Sequence, residues 1–244
     1  MVLAYPTTGN WHITPKFLEL IDVNKIDVER LKSAIRENKE ILNRKILNLQ
    51  EEYNMFLEFY SKILLEVKYP DYNIEICKKI AYNRTYENDK YKPYNGIKEE
   101  LKELSLKYKL LLLSDNWPDV INSLKEYEIY NLFEKIYVSS IYGQLKKDGD
   151  FFDNPINDFK IIDGEAVFID DSEKLLEIAK SKGLKVKLMD REKKIQKSKF
   201  DIINNLKNID LAQKDAEINT LRAEIDKLNS ELGKIYNSKS WKIT

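Results

Sequence analysis

Between residues 93 and 190 the chain repeats one pattern: a short apolar run, a polar break, then an amphipathic stretch of helical period. The runs are Leu110 to Leu113, Ile136-Tyr137-Val138, Ala166-Val167-Phe168-Ile169 and Lys185 to Met189. Short apolar segments bounded by breaks read as buried strands. Helical patterns lie between them at Ile97 to Leu106, Val120 to Tyr127 and Leu175 to Lys182, the last closed by Gly183 as a C-cap. Strands alternating with helices imply parallel βαβ crossovers, which predicts an α/β fold with a doubly wound parallel sheet. No other feature narrows the accessible folds as much. In such sheets ligands bind beyond the carboxyl ends of the strands, so the residues just after each run are the candidate site.

The flanking segments have a different character. Residues 15–92 contain no glycine, and Leu31, Ile35, Ile41, Leu42, Ile46, Leu49 and Tyr53 recur at roughly helical spacing. A second run, Phe56 to Val67, is rich in aromatics, and Tyr69-Pro70-Asp71-Tyr72 reads as a break. This part is expected to form a helical subdomain inserted before the α/β core at 93–190. Residues 191–210 are polar and lysine-rich, a linker or a helix. In the tail, 211–244, Ile218, Leu221, Ile225, Leu228, Leu232 and Ile235 alternate three and four apart, a coiled-coil seam. The bland reading is a helix packed on the chain's own domain; the sharper one is a homodimer through 211–236.

Composition excludes several classes. Lys plus Arg and Asp plus Glu are 41 each, so no global field favours nucleic acid or an acidic membrane. No apolar stretch approaches the roughly 20 residues that span a bilayer, and there is no signal-peptide pattern, so a cytoplasmic location is the default expectation. The single cysteine, Cys77, excludes an internal disulfide and sits in a helical pattern with Ile76 and Ile80, where a small core residue is expected. His12, the one histidine, is expected on the surface, with contact to a substrate as the sharper alternative.

The strand ends are polar in a consistent way. Leu113 leads into Ser114-Asp115-Asn116, Val138 into Ser139-Ser140 and then Gly143 to Phe152 with Lys146 and Lys147, and Ile169 into Asp170-Asp171-Ser172. A hydroxyl, a lysine and a carboxylate pair on one sheet edge suit phosphoryl chemistry. Hydroxyl and N–H groups hold phosphate oxygens, a lysine neutralises growing charge, and paired aspartates are hard ligands for Mg²⁺. Each piece alone has a bland reading. Ser114 or Asn116 caps the helix that Pro118 helps to start, Asp170 and Asp171 form a capping box with Glu173, and the lysines are solvated.

The order of these pieces is more specific than any one of them. Pro93-Tyr94-Asn95-Gly96-Ile97 through Ser114-Asp115-Asn116 resembles the second motif of the haloacid dehalogenase-like (HAD) hydrolases. Gly143 to Phe152 resembles the third, with Lys147 where the family usually has proline, and Val167 to Ser172 resembles the fourth. Receiver domains use similar groups in another order, with the acidic pair first and the lysine last. The resemblance implies Ser114 and Lys146 as catalytic residues, Asp115 and Asn116 at the substrate, Asp170 and Asp171 as metal ligands, Mg²⁺ as cofactor, a small phosphorylated substrate and an aspartyl-phosphate intermediate. It also implies that residues 15–92 are the family's cap.

The family's first motif, Asp-x-Asp on the first strand, has no counterpart, because no aspartate precedes Asp22. Val2-Leu3 is similar to the tail of that motif. The expectation is that residues 1–14 are the loop just after it, that the nucleophile lies upstream, and that the chain as written is inactive. The alternative from another class is a non-catalytic HAD-like binding or dimerisation module. The end of the chain, a heptad helix followed by Ser238-Lys239-Ser240-Trp241, resembles linkers of bacterial cell-surface glycosyltransferases, the only hint toward a sugar phosphate.

Overall fold

The structure is a computed structural model that describes residues 3–189 and 218–231. The chain divides into two compact units, 1–199 and 200–244. Among the described residues no helix is long and apolar enough to cross a membrane.

The first unit opens with strand β1, Ala4–Pro6, and then enters a helical layer. This layer comprises α1 (Pro15–Leu20), α2 (Val28–Glu37), α3 (Lys39–Leu42), α4 (Leu49–Glu66) and α5 (Ile74–Tyr86). Local chemistry sets most of the starts. Thr14, Asp27, Asn48 and Asn73 accept backbone N–H bonds at the N-termini of α1, α2, α4 and α5. The side chain of Glu51 returns to the Leu47 N–H (2.8 Å), a near relative of the capping box. Helix α4 buries Met55, Phe56, Phe59, Tyr60, Ile63 and Leu64 along one stripe, against Phe17, Ile35 and Ile80 among others. Full burial of such side chains contributes about 1.5–3 kcal/mol each. Cys77 lies in this core, as its spacing predicts, and the break at Tyr69-Pro70-Asp71-Tyr72 is the turn between α4 and α5. His12 departs from its expected surface position. Its ring packs on Phe59 (6.0 Å between centroids) and its carbonyl accepts the Tyr60 hydroxyl.

The chain leaves the helical layer through β2, Tyr91–Pro93, which pairs antiparallel with β1 (Ala4↔Pro93, Pro6↔Tyr91). Sequence patterning gives no sign of this ribbon, since three residues are too few to show the alternation of a strand. Its effect is to bring residue 94 back beside the start of the chain.

From there the core runs α6 (Ile97–Ser105), β3 (Leu111–Ser114), α7 (Val120–Glu126), β4 (Lys135–Val138), α8 (Ser139–Tyr142), α9 (Asp153–Phe159), β5 (Val167–Asp170), α10 (Glu173–Ser181) and β6 (Lys185–Leu188). The four strands stand where the apolar runs predict them. β3 pairs parallel with β4, Ser114 opposite Val138, and β5 pairs parallel with β6, Asp170 opposite Leu188. These are two separate ladders, whereas the βαβ pattern predicts one continuous sheet; among the described residues no ladder joins β3 to β5. Leu111, Leu112, Leu113, Val167, Phe168 and Ile169 are consequently only partly buried, although a parallel sheet normally covers both faces of such strands. A second apolar cluster, with Phe152, Ala179 and Leu184 at its centre, draws in Leu113 from β3 and Phe168 and Val186 from the other pair.

Gly183 ends α10 at φ +83°, and a Cβ there would sit 2.4 Å from Asp163 Oδ1. Gly183→Ala is therefore expected to lower stability by about 1–2 kcal/mol through the left-handed backbone alone, with the displacement of Asp163 added. Chemical denaturation checks this, with Gly9→Ala, also at positive φ but with open space around the added carbon, as the comparison.

In the second unit, residues 218–231 form a helix whose side chains are all exposed. The proposed linker 191–210, Leu232 and Ile235 of the seam, the rest of 211–236 and the terminal Ser-x-Ser-Trp segment lie outside the described residues.

Candidate active site

The end of β5 is the best-organised point of the core. Asp170 accepts the Ser172 N–H on Oδ1 (3.0 Å) and faces Lys146 Nζ with Oδ2 (2.8 Å), while its carbonyl accepts the Met189 N–H (2.8 Å). The Lys146 and Asp170 side chains are 11% and 8% exposed, so this ion pair is shielded from solvent. It gains more from Coulomb attraction than a surface pair, and loss of either partner would strand the other. Lys146 also lies over the Phe168 ring (5.8 Å). Its backbone N–H donates to Asp115 Oδ1 (3.0 Å), tying the loop after β3 to the turn that carries the lysine. Lys147, by contrast, is exposed and 3.9 Å from Asp148, as a solvated loop charge should be.

Three carboxylates therefore gather around one ammonium. Burial, and next the charge of Asp170, hold Asp171 above the ordinary carboxylate range. Asp115 is exposed as a residue, yet the protein packed about its carboxyl raises its pKa against the lowering by the Lys146 N–H and charge. Tyr94, at the exit of β2, has its phenol pushed up by burial and then by Asp171. Its ring packs on Tyr5 (5.2 Å). The sequence places Tyr94 only in the lead-in to the second motif; its proximity to Asp171 depends on the β1–β2 ribbon.

The loop after β3 is clasped from two sides. Ser114 is buried at the strand end. Asn116 is buried too, its N–H donating to Ser139 Oγ (3.1 Å), its Oδ1 accepting the Trp117 N–H (2.9 Å) and its carbonyl accepting the Ser140 N–H (3.2 Å). The Asn116 side-chain carbonyl thus serves its own loop, while Asp115 reaches the lysine. From the helical layer, Leu42 O accepts the Trp117 indole N–H (3.2 Å), and the Ile46 N–H donates to the Ser140 carbonyl (2.9 Å). The bland capping readings do not describe this arrangement. The N-cap of α7 is Asp119 and that of α10 is Ser172, neither making a side-chain cap bond.

Beneath the loop lies a buried ionic cluster that sequence reasoning missed. Asp119 Oδ2 meets Arg84 Nη1 (3.1 Å) and Lys90 Nζ (2.8 Å), and the Asp119 N–H donates to Glu52 Oε2 (2.9 Å). Arg84 Nη2 donates to the Tyr91 hydroxyl (2.6 Å), and its guanidinium lies over Phe56 (4.5 Å) and Trp117 (5.1 Å). Arg84, Asp119 and Glu52 have no exposed surface and Lys90 has almost none. Burial, then the charge of Asp119, pushes Glu52 up to about 10; burial pushes Lys90 down. The available signal was position: Arg84 follows Cys77 by seven residues and Ile80 by four, on the apolar face of α5.

Metal chemistry can be tested against the donors present. Among the described residues no group of three or more His, Cys, Asp or Glu is arranged to hold a metal ion. Mg²⁺ needs fewer, since one or two carboxylates with waters and substrate phosphate complete its shell. Asp170 and Asp171 are such a pair; burial and then the charge of Asp170 raise Asp171, and a divalent cation would offset that second effect. The donors fit Mg²⁺ on that ground.

A family profile described as haloacid dehalogenase-like hydrolase matches residues 19–189. No curated protein matches the chain. Among solved structures, a dehalogenase is 13% identical, with a TM-score of 0.51 over 75% of this chain and 80% of its own. A HAD family enzyme of Bacteroides thetaiotaomicron is 19% identical (TM-score 0.47, covering 68% of this chain and 87% of that one). The same enzyme in complex with magnesium and inorganic phosphate is also 19% identical (TM-score 0.44, 68% and 88%). At these identities the likeness concerns the fold alone.

Proposed function

Because the chain belongs to the haloacid dehalogenase-like hydrolase family, we propose that the ends of β3 and β5 bind a phosphoryl group with Mg²⁺, in the hydrolysis of a small phosphorylated metabolite. The observation that carries this reading is the shielded Lys146–Asp170 pair, joined through the Lys146 N–H to Asp115 and crowded by Asp171. In it, Asp170 and Asp171 would hold the cation, which when bound would supply positive charge against the phosphoryl oxygens. Ser114 donates its hydroxyl to one of those oxygens, Lys146 offsets the charge that grows as the leaving oxygen departs, and Asp115 and Asn116 shape the substrate side of the loop. The helical layer acts as the cap that selects the substrate, since Trp117 and Ser140 already tie it to the site loop.

The attacking group is the missing part of this arrangement. Lys146 holds both Asp115 and Asp170. We therefore take the attacking carboxylate from a segment beyond these 244 residues, on a strand added between β3 and β5 that would complete a doubly wound sheet. The half-covered leucines of β3 and apolar residues of β5 support such a strand. Its carboxylate would attack phosphorus, expelling the substrate alcohol and forming an acyl phosphate that water then cleaves. The second reading, a non-catalytic binding module, rests on the same observation that both carboxylates are already engaged.

Calorimetric titration of the 244-residue chain with Mg²⁺ and inorganic phosphate tests the site. Binding of phosphate is expected to require Mg²⁺. Asp171→Asn should weaken the metal by roughly tenfold or more, about 1.4 kcal/mol, and Lys146→Ala should weaken phosphate. Equal Mg²⁺ affinity in the parent, Asp170→Asn and Asp171→Asn sinks the metal assignment. Turnover of p-nitrophenyl phosphate should not exceed that of Asp170→Asn; if it does, the nucleophile is within this chain and the added strand is wrong. Binding without turnover, unrescued by an appended Asp-x-Asp strand, selects the binding module.

A further inference from the structure

We propose that the helix at 218–231 pairs with the same helix of a second copy of this chain, as a parallel, in-register, two-stranded coiled coil. The helix carries Ile218, Leu221, Ile225 and Leu228 on one stripe at spacings of three, four and three, and all four are 45–56% exposed. A lone helix this short is marginal in water, and an apolar stripe open to solvent gives up the burial that would hold it. Something therefore covers the stripe, and the side chains say what.

The stripe is narrow, in a helix otherwise made of polar residues and Ala223. That is an a/d seam, and it lacks the broader apolar face of a helix lying on a globular core. With Ile218 and Ile225 at a and Leu221 and Leu228 at d, β-branched residues hold one layer and leucines the other, the combination that favours two parallel strands.

Charge chooses the direction. Glu224 and Glu231 fall at successive g positions, and Arg222 and Asn229 at e. An antiparallel pair sets g against g, so carboxylates would face carboxylates along the seam. A parallel pair sets g against the e position of the following heptad. Glu224 then lies beside the partner's Asn229. Like charges are removed from across the seam, which favours a second copy in parallel over an antiparallel mate.

The experiment uses the full chain. Sedimentation equilibrium at tens of micromolar is expected to show a dimer, and Ile225→Lys to weaken association at least tenfold while thermal unfolding of the first unit is unchanged. Leu221→Cys should form an interchain disulfide with an added oxidant, because d positions of a parallel pair face each other; Cys77 is buried and should not react. A monomer up to hundreds of micromolar overturns the proposal, meaning the stripe is covered within one chain or by another protein. A dimer indifferent to Ile225→Lys places the contact elsewhere and overturns it too. A dimer sensitive to Ile225→Lys but without the Leu221→Cys crosslink overturns the parallel arrangement.

Discussion

Asp119→Ala is expected to destabilise the first unit by about 3–5 kcal/mol, the cost of breaking a buried ion pair from one side. Asp119 faces two cations, Arg84 and Lys90, and none of the three has more than a trace of exposed surface. Removing the carboxylate leaves the guanidinium and ammonium to repel each other with no counter-charge. A loss of that size is a large part of the total stability of a domain, so the variant should unfold at far lower urea with an unchanged slope. The discriminating measurement is the triple variant Asp119→Ala, Arg84→Met, Lys90→Met. Apolar replacement of a whole buried ionic group is often neutral, so the triple variant should recover much of the loss. If Asp119→Ala costs under 1 kcal/mol, the cluster is not the ionic group described.

Glu52→Gln is expected to stabilise the protein in mildly alkaline solution and to flatten its pH dependence. Glu52 is buried beside Asp119, and its folded pKa of about 10 stands above the usual carboxylate value of 4.5. A raised carboxyl pKa means that the folded state keeps a proton which the unfolded state releases. Its contribution is therefore fully present below about pH 4.5 and falls as pH climbs toward 10. Glutamine keeps the acceptor for the Asp119 N–H and never ionises, so that slope disappears. His12 acts with the opposite sign. Burial, then Arg84 and Lys39, lowers it from 6.5 to about 4, so its contribution is present above pH 6.5 and lost as pH falls toward 4. Wild-type stability should thus peak between roughly pH 5 and 6.5, and Glu52→Gln should shift the peak upward, as read from thermal midpoints across pH. A variant no more stable than the parent at pH 8, on an equally steep curve, would show that Glu52 is ionised in the fold.

These two expectations concern residues that patterning alone passes over, and the reason is physical. The candidate residues Ser114-Asp115-Asn116 and Asp170-Asp171 stand out in the sequence because each follows directly on an apolar run, and Lys146 because it lies in the loop beyond the Val138 run; strand ends are where such folds place their chemistry. Which group meets which is not legible. Lys146 meets Asp170 across 24 residues and Asp115 across 31. Tyr94 comes near Asp171 only because a three-residue ribbon at the foot of the helical layer folds it back. The role of Asn116 was equally open, since an amide after a strand serves a substrate or its own loop with the same local sequence; the bond to Trp117 settles its partner here.

What the sequence determined by itself is local. It set the four core strands, helices α6, α7 and α10, the break at Tyr69-Pro70, the positive-φ glycine at 183 and the apolar stripe of the helix at 218–231, because each depends on residues within one or two turns of each other. The tertiary structure alone decided that the strands bond as two ladders, that Arg84 and Asp119 meet across 35 residues, and that Glu52 reaches the Asp119 N–H across 67. Charged residues on a mostly helical chain read as solvated until the packing of other elements closes over them. Only that closure removes the water, and with the water gone an ordinary glutamate holds its proton more tightly and an ordinary arginine becomes part of the core.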